Sequence, residues 1–173
     1  MRLFIAINFN DVTRSRLLAL RDELRHNSER GNFTAPENMH LTLIFLGECD
    51  GRQASTVKRV MDELVFEPFN VRIDSVGRFR RAGGDIWWAG VHEKAALANL
   101  YNTMSDALSS VGFTVERRAY SPHITLGREV ITDYLPRQVE PFGETINSID
   151  LMKSERIRGN LVYTPIHKRE CRG

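Results

Sequence analysis

The feature that most constrains this chain is a tetrapeptide that occurs twice. His40-Leu41-Thr42-Leu43 and His123-Ile124-Thr125-Leu126 share the pattern His-apolar-Thr-apolar, 83 residues apart. Each lies in a segment that reads as a strand, HLTLIFLG and HITLG. Residues i and i+2 of a strand share a face, so each His projects beside its Thr while the two apolar residues point into a core behind them. One such motif arises by chance in roughly one chain in twenty of this size, and two in matching strands on the order of once in several hundred. If two halves pack about an approximate two-fold axis, the four polar side chains meet across a single cleft.

The remaining pattern agrees with two related α+β halves. Leu3 to Phe9 reads as a buried strand, and Leu17, Leu20 and Leu24 recur at helical spacing over residues 11–27. Gly31-Asn32 and Pro36-Glu37-Asn38 read as turns before the first motif. A second helix carries Val57, Val60, Met61, Leu64 and Val65. Phe69–Val76 and Ile86–Val91 read as a hairpin across a Gly-Gly loop. The third helix, with Leu97, Leu100, Tyr101, Met104, Leu108 and Val111, stops at Gly112. Two strands, Ile146–Met152 and Leu161–His167, follow the second motif, and HKRECRG reads as a frayed tail.

With 173 residues, 42% of them hydrophobic and 27% charged, the chain has the make-up of one globular domain, 1–173, able to bury a core without staples. Twenty-four Lys and Arg against 22 Asp and Glu leave a net charge of +2, so any nucleic-acid contact rests on clustered cations and not on bulk charge. Cys49 and Cys171 form no disulfide framework or CxxC spacing, and His26, His40, His92, His123 and His167 contain no HExxH pair, so no metal site is expected. The apolar run Leu3–Ile7 is too short for a signal-peptide core, and no stretch approaches a membrane span. A cytoplasmic, reducing location and a monomer are the expectation.

Two imidazoles and two hydroxyls suffice for displacement at phosphorus. The attacking and departing oxygens lie on opposite sides of the phosphorus, so one group takes a proton on entry and another gives one on exit. Imidazole performs either role near neutral pH. Threonine hydroxyls and a nearby cation can donate to the non-bridging oxygens.

These motifs, with the opening MRLFIAI, the block PENMHLTLIFLGE at Pro36–Glu48, WWAGV at Trp87–Val91, SPHITLGR at Ser121–Arg128 and Lys153-Ser154-Glu155, resemble the two-histidine phosphoesterase superfamily. The branch they resemble is the bacterial and archaeal RNA 2′,3′-cyclic phosphodiesterases, also called 2′-5′ RNA ligases. The resemblance implies an α+β, bilobal fold with two antiparallel sheets around a central cleft and helices outside. It also implies hydrolysis of an RNA 2′,3′-cyclic phosphate to a 2′-phosphate without metal or nucleotide cofactor. Carried onto this chain, His40 matches the proton donor to O3′, His123 the base that activates water, and Thr42 and Thr125 the phosphate-binding hydroxyls. Ligation replaces the water by a 5′-hydroxyl. Gly127 stands where relatives often have Ala.

Arg128 matches an Arg common in the family, although strict alternation points it away from His123 unless Gly127 bends the strand. Arg78, Arg80 and Arg81 around Phe79 suit phosphate contacts with base stacking, and Arg80 is a candidate contact. Tyr120 is a candidate stacking surface as well as a candidate core aromatic. One of Trp87 and Trp88 faces the core. Arg117-Arg118 and Lys168-Arg169 are solvated pairs or a rim for an RNA strand. Two other functions share the residues: a non-catalytic nucleotide-binding module, and a phosphodiesterase for small cyclic nucleotides or ADP-ribose cyclic phosphate.

Overall fold

A computed structural model describes residues 1–116 and 120–171 of the chain; Arg117 and Arg118 lie outside the described residues. In chain order the elements are β1 (Arg2–Asn8), α1 (Asp11–His26), β2 (Ser28–Phe33), a 3-10 turn (Pro36–Asn38), β3 (His40–Glu48), α2 (Gly51–Glu63), β4 (Phe69–Phe79) and β5 (Asp85–Val91). They continue with α3 (Ala95–Ser110), β6 (His123–Thr132), β7 (Arg137–Ile146), β8 (Ser148–Ile157) and β9 (Asn160–Glu170).

Helix ends follow local chemistry. The Asn10 side chain accepts from Thr13 N at the start of α1, and Asp50 with Gln53 forms a reciprocal capping box on α2. The third helix ends as expected at Gly112, whose φ of 95° takes the left-handed C′ position. The Phe113 and Gly112 amides then bond back to the Leu108 and Ser109 carbonyls, as in a Schellman motif.

The strands form two antiparallel sheets, ordered β3-β1-β8-β9 and β2-β6-β5-β4-β7. The sheets exchange strands between the halves of the chain. The C-terminal hairpin β8–β9 completes the sheet that β1 and β3 begin, while β2 from the N-terminal half adds an edge beside β6. Helix α1 packs on the second sheet, and α2 and α3 cover the first. One hydrophobic cluster joins the inner faces of both sheets, with Leu3, Ile5, Leu41 and Leu151 from one and Ile73, Trp87, Ile124 and Leu126 from the other.

Three expectations are corrected. Gly31-Asn32 lies in strand β2, residues 137–146 form strand β7, and His167 to Glu170 continues β9. All three are edge strands. These segments bury little, so SERGNF, RQVEPFGETI and HKRE carry polar residues where a central strand carries apolar ones, and Pro141 is tolerated because β7 pairs on one side only.

Gly127 occupies in β6 the place of Ile44 in β3, opposite the fully buried Trp87. A Cβ there would meet Phe33 and Val130, each at 3.1 Å. Substituting Gly127→Ile, which copies the other half of the molecule, should therefore overpack this layer. A loss of about 1–3 kcal/mol in denaturant unfolding is expected; unchanged stability would contradict the packing described.

Candidate active site

The two His-Thr strands lie side by side where the sheets meet, each with His and Thr on the face turned from the core. Their likeness extends beyond four residues. In β3 the pairing to β1 steps from Thr42 to Ile44, leaving Leu43 as an extra residue, and in β6 the pairing to β5 steps from Thr125 to Gly127, leaving Leu126 extra. These are matched β-bulges. In each strand the two residues at the bulge are both buried, and the next one is exposed.

The bulge reverses the alternation, so Phe45 and Arg128 are exposed at matching positions just beyond the two motifs. Regular pleating from Thr125 would have sent Arg128 into the core. Instead its charge acts on both His40 and His123. The bend anticipated at Gly127 is thus a bulge shared with the first motif, where the residue is Ile44.

Both imidazoles are held alike. His40 Nδ1 lies 2.7 Å from the Asn38 carbonyl, and His123 Nδ1 lies 2.8 Å from the Ser121 carbonyl. A carbonyl oxygen only accepts, so Nδ1 carries the proton in both rings and Nε2 presents its lone pair in the neutral form. At His40 the Thr42 hydroxyl sits 2.9 Å from Nε2 and donates to it. Among the described residues the Thr125 hydroxyl has no such bond, while its carbonyl accepts from Thr34 Oγ1 at 2.8 Å.

Each ring also has an aromatic edge partner. His40 meets Tyr163 at a centroid distance of 5.1 Å and 83°, and His123 meets Phe79 at 5.2 Å and 90°. Phe4 lies 5.0 Å from His40, and Trp88 lies 5.5 Å from Phe79. Trp87 is thus the core tryptophan, and Trp88 stands on the opposite face. Tyr163 escaped the sequence reading because it comes from β9 of the exchanged hairpin, and Phe4 because inside the apolar run of β1 it reads as core.

Burial lowers the pKa of both imidazoles from an ordinary value near 6.5; the Arg128 charge adds to it, as does His123 for His40, while the Asn38 and Ser121 carbonyls oppose it. Tyr120, a candidate stacking surface as well as a candidate core aromatic, is partly buried, stacked on Tyr101 at 4.5 Å and 2°, with its hydroxyl donating to the Thr42 carbonyl at 2.9 Å. It braces the approach to the second motif against the first. Arg80 sits near the tip of the β4–β5 hairpin, 4.0 Å from Asp85, and it is Arg81 that lies over Phe79, at 5.7 Å. Arg78 packs on Trp87 at 5.5 Å, behind the site. His92 and His167 are bonded to Asp74 and Asp62, away from the pair. Among the described residues no three His, Cys, Asp or Glu side chains are grouped to hold a metal ion, and no helix is long and apolar enough to cross a membrane.

An α+β fold whose paired strands carry twin His-Thr sets defines a class of phosphoesterase. The family model of the 2′-5′ RNA ligase superfamily matches residues 12–158, and the chain belongs to that superfamily. It is 33% identical to the RNA 2′,3′-cyclic phosphodiesterase of Thermotoga maritima, over 85% of this chain and 78% of the relative. It is also 33% identical to that of Archaeoglobus fulgidus, over 74% and 72%. Among solved structures, Escherichia coli LigT complexed with 3′-AMP matches with a TM-score of 0.84 at 23% identity, covering 98% of this chain and 97% of that one. A protein of Thermus thermophilus matches with a TM-score of 0.88 at 23% identity, covering 100% and 99%. These two likenesses concern the fold.

Titration of the imidazoles by NMR should give pKa values below 6.5 for both His40 and His123. Substituting Arg128→Gln removes a charge that disfavours both protonated forms, so both values should rise. A fall in either, or a change in only one, would contradict a guanidinium shared between the two rings.

Proposed function

We propose that this chain hydrolyses the 2′,3′-cyclic phosphate at an RNA end to a 2′-phosphate. The observation that carries the reading is the pair of imidazoles, each with Nδ1 tied to a carbonyl and Nε2 left to exchange a proton. The relatives' names supply the substrate class.

In the proposed reaction His123 Nε2 accepts a proton from water as its oxygen attacks phosphorus. The P–O3′ bond breaks, and His40 gives a proton to O3′. One proton is taken and one given, so the pair ends with its protonation exchanged and returns through solvent. His40 must arrive protonated although burial disfavours it, and the negative phosphate supplies the compensating charge. Thr42, Thr125 and Arg128 donate to the non-bridging oxygens. Tyr120 holds the two strands together, and Arg80 remains a rim contact for longer RNA. If a 5′-hydroxyl replaces the water, the same steps join two RNA ends through a 2′-5′ linkage. The reading takes residues 1–173 as one domain of two similar lobes, monomeric and cytoplasmic, using no metal or cofactor.

Substituting His40→Ala or His123→Ala should each lower turnover of a nucleoside 2′,3′-cyclic phosphate by about 10²–10⁴-fold with the fold retained. Substantial activity in either variant would reject the two-histidine mechanism. EDTA should leave the rate unchanged. Binding without turnover by the unaltered chain would favour the nucleotide-binding module, and turnover of small cyclic nucleotides but not of RNA ends would favour a metabolite phosphodiesterase.

A further inference from the structure

The face of the first sheet that carries His40 continues outward from the imidazole as a strip of aromatic and cationic side chains that the reaction above does not use. Along β1 the residues Arg2, Phe4 and Ala6 share one face, opposite to the core face of Leu3, Ile5 and Ile7. Register fixes what stands beside them. Phe4 pairs with Phe45 on β3 and with Met152 on β8, and Arg2 pairs with Ser154, which in turn pairs with Tyr163 on β9. Arg156 lies two residues beyond Ser154, on the same face.

The strip is unusual in two respects. Phe45 is 72% exposed, at the position where the other half of the molecule has Arg128. Its ring lies 6.2 Å from that of Phe4, which is itself buried and 5.0 Å from His40. An exposed ring anchored on a buried one offers a flat surface to a planar ligand. Secondly, Arg2 and Arg156 are exposed, and among the described residues neither forms an ion pair. Glu48, the acid across from Arg2, lies 3.4 Å from the N-terminal ammonium, and Arg156 donates only to the Gly159 carbonyl, at 3.2 Å. The Tyr163 phenol feels the charges of Arg128, Arg2 and Arg156 together, so the strip joins the electrostatic field of the site. It spans β3 to β9, three strand spacings or about 14 Å.

Guanidinium groups without an ion-pair partner, on the same sheet face as an exposed ring, suit a phosphodiester with its base. We propose that this strip is a subsite for the nucleotide on the 5′ side of the cyclic end, with Arg2 and Arg156 on the connecting phosphodiester and Phe45 beneath the base. The preferred substrate is then an RNA chain end and not a free nucleoside 2′,3′-cyclic phosphate. This rests on the function proposed above and specifies its substrate.

The test is the ratio of kcat/KM for a dinucleotide ending in 2′,3′-cyclic phosphate to that for the mononucleoside 2′,3′-cyclic phosphate. The ratio should be at least about ten-fold in the unaltered chain and should fall with added salt. In Arg2→Gln/Arg156→Gln, and separately in Phe45→Ala, it should come within about two-fold of one. Thermal unfolding of each variant verifies its fold. A ratio near one in the unaltered chain, or a ratio unmoved by both variants, overturns the proposal. If neither substrate is turned over, the proposed function fails. The subsite is then judged by calorimetry with the 2′-phosphate dinucleotide and mononucleotide, where equal affinities, or no binding of either, overturn it.

Discussion

The arrangement depends on a backbone irregularity made twice. A strand that alternates strictly can place His and Thr on one face, but it cannot keep two successive core residues and then return to that face. The extra residue at Leu43 and again at Leu126 permits this. It gives the core Leu43 with Ile44, and Leu126 with Gly127, and it exposes the residue that follows. In one strand that residue is Arg128, whose charge acts on both imidazoles, and in the other it is Phe45. A local kink thus sets both the electrostatics of the histidine pair and the character of the surface beside it.

The two strands are brought together by the exchange between sheets. β3 is an edge of the first sheet, and β6 lies next to the edge strand β2 of the second. The shared hydrophobic cluster closes behind them. The Tyr120 hydroxyl reaching the Thr42 carbonyl spans the junction directly. The C-terminal hairpin supplies Tyr163 to His40 from the far end of the sequence, while Phe79 serves His123 from the β4–β5 hairpin. Each ring therefore has a carbonyl at Nδ1 and an aromatic edge beside it, a repetition in space that the linear sequence shows only as two tetrapeptides.

What could be read in advance follows from what burial writes into a sequence. The central strands and the three amphipathic helices bury apolar stripes, and their positions were legible to within a few residues. The His-Thr pairs were legible because two copies with apolar flanks leave little room for chance. The edge strands β2 and β7 and the end of β9 were not, because they bury little and their residues are those of loops. The side of the strand on which Arg128 stands was legible only in part: Gly127 signalled a bend, but a bulge is made by pairing with a neighbouring strand, and no local pattern marks Ile44 as the site of its counterpart. Tyr120 illustrates a third limit. An aromatic beside a motif reads as ligand contact or as packing, and its stack on Tyr101 is a tertiary contact that no local pattern records.

In the proposed reaction two imidazoles, both lowered in pKa, divide one acid and one base role between them. In the free enzyme the productive form holds a proton on one ring and none on the other. The pH dependence of kcat/KM for a nucleoside 2′,3′-cyclic phosphate tests this most directly, because it reports the ionisations of the unliganded pair. A bell-shaped profile with its maximum below pH 6.5 is the expected result. A profile with a single limb, or a plateau extending through about pH 8, would contradict a shared acid–base role for the two imidazoles.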